Sequence, residues 1–297
     1  MSFDRKSPGR KLFLVCNYVI ISLITLSCVV PLLNLLAKSF SSSSAIIANR
    51  VTIFPADFTL EAYDYVLNNT RFWNSLIVSV KRVVIGVPLE VLMTILVAYP
   101  LSKSESAFPA RKYYVGLFLT TMLIGGGLMP TYFIVAKTGL IDKIWSLILP
   151  GVVPVYSCII LMNFFRGIPG ELEESATLDG ANQFQIMTRV YLPLSKPSLA
   201  TVTLFSLVGH WNSWFDGLIY SNFDRNYPLQ SYLQTLVVST VESLRTADLK
   251  KIMDLAGVSN TNMKAAQIFI SLIPLMLVYP FLQKYFTTGL TLGSVKG

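Results

Sequence analysis

The feature that most limits this chain is a run of 26 residues, Leu12 to Ala37, without one charged side chain. A bilayer core requires about 20 mostly apolar residues in helix. Such a run is either a retained span or a secretion signal, and signal cores hold only about 7 to 15 apolar residues. Basic residues do precede it (Arg5, Lys6, Arg10, Lys11), but its length argues for a retained helix. Five further stretches qualify wholly or in part. They are 72–101 (apolar from Val83 to Leu101, with Glu90 inside), 113–136, 144–166, 197–220 and 265–286, with Lys284 in the final turn of the last. Composition agrees: 53% of residues are hydrophobic, 13% are charged and the mean hydropathy is +0.57. A soluble domain carries about a quarter charged residues. The figures exclude a disordered chain, a nucleic-acid-binding module and an ordinary soluble enzyme. The expectation is an all-α integral membrane protein, one domain over 1–297 with six transmembrane helices and no nucleic-acid partner.

The excess of Lys and Arg, a formal +8, suits a basic cytoplasmic side. Lys103, Arg111 and Lys112 face Glu105 in one short loop, whereas Lys137 and Lys143 accompany Asp142 in another. With the basic N-terminal tail and an even number of spans, both termini are expected in the cytoplasm. The segments near 38–71 and 221–264 then face outward. Cys16, Cys28 and Cys158 all lie in apolar stretches without a CxxC pair and read as small buried hydrophobes, not a disulfide frame or metal site. One histidine, His210, is too little for zinc or Ser-His-Asp chemistry; it reads as a satisfied interfacial residue. Pro31, Pro88, Pro130, Pro150, Pro154, Pro274 and the Gly125-Gly126-Gly127 run predict kinked spans. Lys81 and Arg82 are expected to snorkel to the outer boundary, and Glu90 to take an opposing cation rather than a substrate.

The most informative stretch runs from Gly170 to Pro193. Glu171, Glu173 and Glu174 fill a first helical turn, where the helix dipole favours carboxylates. Gly180 is placed to end that helix in a left-handed conformation. Asn182 with Gln185 forms a capping box for a second helix. Pro193 is expected to stop it and Pro197 to open the next span. Leu172 and Ala176 share one face, as do Phe184, Met187 and Tyr191. An amphipathic helix lying on headgroups wants Lys and Arg on its polar face. Here four acids (Glu171, Glu173, Glu174, Asp179) oppose one Arg across 171–191. An acidic element suits a basic groove on a protein partner.

Glu174-Ser-Ala-Thr-Leu-Asp-Gly-Ala181, Phe184, Leu192-Pro193 and Pro197 together resemble the EAA loop of ABC importer permeases, with Ser175 where the pattern has Ala. Gly127–Tyr132, Ile148-Leu-Pro150, Asn163–Pro169 and the tail Tyr285–Gly297 resemble the carbohydrate, maltose-permease-like branch. His210–Tyr220 and Tyr227–Tyr232 are similar to the lipoprotein-linked oligosaccharide permeases. The likeness covers nearly the whole chain. It implies a type I importer. This permease would pair with a second, homologous permease and two copies of an ABC ATPase, and an extracellular solute-binding lipoprotein would deliver an oligosaccharide. The chain has no G-x-x-x-x-G-K-[ST] phosphate loop. ATP and Mg therefore belong on the partner ATPase; this chain is expected to bind no cofactor and to be no enzyme itself.

On that likeness Glu171, Glu174, Ser175, Ala176, Asp179, Gly180, Ala181 and Phe184 make the ATPase-coupling set. Glu174 meets a basic residue of the groove, Asp179 fixes the turn and Gly180 supplies its conformation. In the fifth stretch Gly209, Ser213 and Gly217 recur every four residues, which allows close helix approach. Asn212, Asp216 and Tyr220 form a neighbouring stripe. Trp211, Asn212, Trp214, Asp216 and Tyr220 therefore mark a candidate substrate path, although Trp near a span end is also ordinary belt material. In the family, 221–264 meets the binding protein, with Leu229–Val238 a short amphipathic helix and Asn260-Thr-Asn262 beyond it. Two other classes compete. One is an ion-coupled secondary transporter of small polar solutes, which would normally show an internal repeat. The other is a membrane sensor or assembly subunit.

Overall fold

A computed structural model describes residues 8–246 and 261–293. The expectations resting on Arg5, Lys6, 247–260 and the last four residues of the tail lie outside the described residues. Among the described residues the regular structure is helical, apart from one isolated antiparallel bridge between Ser41 and Phe58. There are two compact units, Met1–Thr70 with Leu236–Leu272 and Arg71–Thr235 with Ile273–Gly297.

The first unit opens with α1 (Pro8–Ser39), which contains Pro31. Its apolar side chains are exposed along most of its length, as a helix sheathed in lipid requires. Cys16 and Cys28 lie on that exposed surface; only Cys158 is buried as expected. Beyond α1 come two short helices, α2 (Ser43–Ile47) and α3 (Glu61–Leu67). Ser42 caps α2 by accepting from the Ala45 N–H. The Phe40 ring stacks on Phe58 and Tyr63, at centroid distances of 5.5 and 4.8 Å.

The second unit is built on α4 (Thr70–Ser102), an unbroken 33-residue helix despite Pro88 and Pro100. The third stretch is not one straight helix. It divides into α5 (Arg111–Leu123) and α6 (Leu128–Lys137), bent by 110° where Gly125-Gly126-Gly127 offer no side chains to hold a helical turn. The fourth is also broken. Two 3-10 turns, Ile144–Leu147 and Leu149–Gly151, precede α7 (Val155–Arg166), with a bend of 49° where Pro154 starts the new helix.

The acidic stretch forms α8 (Gly170–Leu178) and α9 (Gln183–Ile186), then a π-helical turn (Met187–Tyr191) and α10 (Leu192–Leu194). Pro193 does not stop the chain as expected. The wider π turn ahead of it lets the helical path continue to Leu194, and the break falls at Ser195. α11 (Lys196–Asn212) follows with Pro197 in its first turn. The fifth stretch ends as α12 (Phe215–Tyr220), after extended backbone at Ser213 and an irregular Trp214. Two more helices follow among the described residues, α13 (Leu229–Thr246) and α14 (Thr261–Gly293).

The core of the second unit sits directly behind α8 and α9. It joins Ala98, Tyr99 and Leu101 of α4, Leu161, Met162 and Phe165 of α7, Ile186, Met187 and Tyr191, and Val202 of α11. A smaller cluster at Val135, Leu147 and Tyr220 ties α6, the 3-10 turn and α12 together.

Candidate functional site

Two polar clusters stand out in the second unit. The first is the 170–193 element. Gly180 has φ +81°, a conformation that side chains resist. The Gly180 N–H bonds to the Thr177 carbonyl and the Ala181 N–H to the Ala176 carbonyl, both at 3.0 Å. This pair of bonds is a Schellman closure. The backbone, not the Asp179 side chain, therefore closes the turn. The expected capping box is present: Gln185 N–H donates to Asn182 Oδ1 and Asn182 N–H to Gln185 Oε1, both at 2.9 Å.

Of the expected coupling set, Glu171, Glu174, Ser175, Asp179, Gly180 and Phe184 are exposed, while Ala176 and Ala181 pack on the core. Leu178 at the tip is 89% exposed and Phe184 is 68% exposed. The outer face thus presents acids beside bare apolar side chains. Phe184 does not join Met187 and Tyr191 on a common buried face; those two turn inward and it turns out.

Glu173 departs from its acidic neighbours. It accepts from Lys103 Nζ at 2.7 Å and from the Tyr191 hydroxyl at 2.6 Å. Lys103 Nζ lies 4.1 and 4.4 Å from the Tyr99 and Tyr191 ring centroids. Burial pushes the Glu173 carboxyl upward, but the bonds from Lys103 and Tyr191 and the lysine's charge together hold it below the usual glutamate range. Burial lowers the Lys103 ammonium, with Glu173 opposing that shift. Burial also raises the Tyr191 hydroxyl, which stays a donor. An open cleft of about 1140 Å³ borders this pair, with Glu174, Arg111 and Arg166 on its walls.

The second cluster is held within the apolar helices. Arg82, Gly86 and Glu90 follow one face of α4 at four-residue spacing. Arg82 is buried and does not snorkel. Its Nη1 donates to Asp216 Oδ1 at 3.2 Å, its Nη2 pairs with Asp216 Oδ2, and its Nε donates to His210 Nδ1 at 3.3 Å. Nε2 of the same ring lies 2.9 Å from Glu90 Oε2. Gly86 makes room for that ring, since a Cβ there would lie 2.8 Å from its atoms. Ser213 Oγ and the Gly217 N–H complete the shell of Asp216, at 2.8 and 2.9 Å. Lys81, one residue away on α4, is exposed. A charged group in hydrocarbon must face protein or a cavity. Here it does both, bordering a cavity of about 380 Å³ that Ser146, Ser206, Gly209 and Tyr220 also line.

The break at Ser213 and Trp214 undoes the two stripes expected across 209–220, because helical spacing does not cross it. Of the candidate path, only Asp216 and Tyr220 reach the cavity. Trp211 is buried outside its lining, and Asn212 and Trp214 are exposed. Gly209 opens onto the cavity rather than onto a neighbouring helix. His210 is a buried bridge, not an interfacial residue. At the adjoining loop, Asp142 (φ +62°) accepts from the Asn222 N–H and Nδ2 at 2.7 Å each and from Asn226 Nδ2 at 3.2 Å. Slight burial raises its carboxyl, and these bonds together hold it below the usual aspartate range.

The family model described as binding-protein-dependent transport system inner membrane component matches residues 60–292. Protein LplC of Bacillus subtilis (strain 168) is 39% identical over 98% of this chain and 97% of its own length. A polygalacturonan/rhamnogalacturonan transport system permease protein, YtcP, of the same strain is 37% identical over 97% and 99%. Among solved structures, a chain of a bacterial ABC transporter involved in the import of the acidic polysaccharide alginate superposes with a TM-score of 0.84. It is 29% identical, with 96% of this chain and 100% of that chain covered.

Proposed function

This chain belongs to the binding-protein-dependent transport system inner membrane component family, and from that premise we propose that it is the permease subunit of an ATP-driven importer taking up oligosaccharides handed over by an extracellular solute-binding lipoprotein. It works as one permease domain in a cell membrane, with both termini in the cytoplasm, beside a second, homologous permease and over two copies of an ABC ATPase. ATP and Mg are bound by that ATPase. Family membership favours this reading over an ion-coupled secondary transporter.

One observation carries the coupling assignment: the 170–193 element turns acids and bare apolar side chains outward while its inner face rests on the core. A soluble partner with a basic, apolar-floored groove fits that face. Glu171, Glu174, Ser175, Asp179, Gly180 and Phe184 form the outward surface, and Ala176 and Ala181 seat it. ATP binding closes the ATPases and carries the element with them. The broken spans then tilt and move the cavity from inward-facing to outward-facing. For that, ATP must bind one global state more tightly than the other. Asp216 and Tyr220 are the substrate-path residues that border the cavity, and their carboxylate and phenol suit sugar hydroxyls.

Reconstitution tests the reading. Uptake into proteoliposomes should require ATP, a separate ATPase and a binding protein. Uptake driven by an ion gradient alone defeats it.

A further inference from the structure

Glu171 and Glu174 point outward, but Glu173 shares the inward face of α8 with Ala176 three residues on. Its carboxylate meets Lys103, the first residue beyond the last turn of α4. The ammonium is enclosed: it touches the faces of Tyr99 and Tyr191, whose rings meet edge to face at 5.2 Å. Tyr191 also donates to Glu173, and Tyr99 donates to Gln183 Oε1 at 2.7 Å. The end of α4 is therefore bonded to both halves of the helix–turn–helix, to α8 through Glu173 and to α9 through Gln183. Apolar contacts alone allow sliding. A half-buried ion pair with directional bonds resists shear. Farther along α4, about 20 Å from Lys103 at helical rise, stands Glu90, and beyond it Arg82, two of the four charged-cluster side chains at the cavity.

Resting on the coupling assignment above, we infer that the Lys103–Glu173 pair, clamped by Tyr99 and Tyr191, is the joint through which displacement of the 170–193 element reaches α4 and the cavity. Lys103 and Glu173 are positioning residues. They touch neither nucleotide nor sugar. They convert motion of a docked surface into motion of the helix that carries Arg82 and Glu90.

The test uses the whole permease–ATPase complex in nanodiscs. Cys16, Cys28 and Cys158 are replaced, and Gly209→Cys supplies one thiol at the cavity. The readout is the ratio of maleimide labelling rates with and without ATP and vanadate, alongside ATPase co-purification. The unsubstituted joint should give a ratio of about fivefold or more, a usual size for coupling between sites. Lys103→Met should retain the ATPase yet bring the ratio close to one. Lys103→Arg should keep it, and the swapped pair Lys103→Glu with Glu173→Lys should restore most of it. Tyr191→Phe removes one bond to Glu173 and no charge, and should lower the ratio by about half. A wild-type ratio in Lys103→Met with the ATPase bound overturns the inference. Should Lys103→Met fail to fold, a wild-type ratio in Tyr191→Phe overturns it equally. If the parent complex itself shows no nucleotide-dependent change, the coupling assignment fails instead, and the two failures are told apart.

Discussion

The two polar clusters of the second unit are built in opposite ways. At Lys103 and Glu173 one cation meets one anion, ring faces enclose it, and a packed core lies behind. At Arg82 two carboxylates share one guanidinium and one imidazole beside an open cavity. The first arrangement has one satisfied geometry and suits force transmission. The second has more acceptors than cations and room beside them, so its pairing is able to change as helices tilt.

The largest effect expected comes from removing the cation in the crowded cluster. Arg82→Met leaves Asp216 without its guanidinium and His210 without its donor, and breaking a buried pair costs about 3–5 kcal/mol. The purified complex should melt at lower temperature, and adding Asp216→Asn should recover much of the loss. A double variant as unstable as the single breaks the ion-pair account of this cluster.

On the outward face of α8, Glu174→Lys should abolish co-purification of the ATPase while the permease still inserts. Undiminished co-purification moves Glu174 out of the docking surface. A smaller loss is expected of Asp216→Asn, which keeps the shape and drops the charge. Uptake should fall about tenfold, ~1.4 kcal/mol of coupling, with the ATPase still bound. Unchanged uptake makes the cavity cluster purely structural.

The smallest effect is in pH. Glu173 titrates below its ordinary value of 4.5 in the folded protein. A depressed carboxylate contributes stability above the unfolded pKa and loses it as pH falls through the folded one. Wild type should therefore exceed Glu173→Gln in melting temperature above about pH 4.5, by an amount worth about 1 kcal/mol for a partly exposed pair. The difference should vanish on further acidification. A gap that persists into strong acid removes the charge from the explanation.

Legibility in the sequence follows the range of the interactions. Gly180 and the Asn182–Gln185 box were readable because every bond they make lies within a few residues. The glycine run and Pro154 announced breaks but not their angles, which depend on what packs around them. In sequence Arg82 reads as a snorkelling residue because its partner Asp216 stands 134 residues later. Its signal was present in the four-residue spacing Arg82, Gly86, Glu90, a charged stripe with a gap for a ring. Glu173 carried no such mark. It sits between two outward acids, and Lys103 lies 70 residues away. The stripes read across 209–220 failed since two residues, Ser213 and Trp214, leave the helix.

On the proposed function, the tip of the 170–193 element lies against another subunit. Leu178, 89% exposed at that tip, is the position to probe. A photoreactive benzoylphenylalanine installed at Leu178 and irradiated in native membranes should give one major adduct, with the co-expressed ATPase subunit. Adducts with lipid alone, or none to any protein, contradict the account.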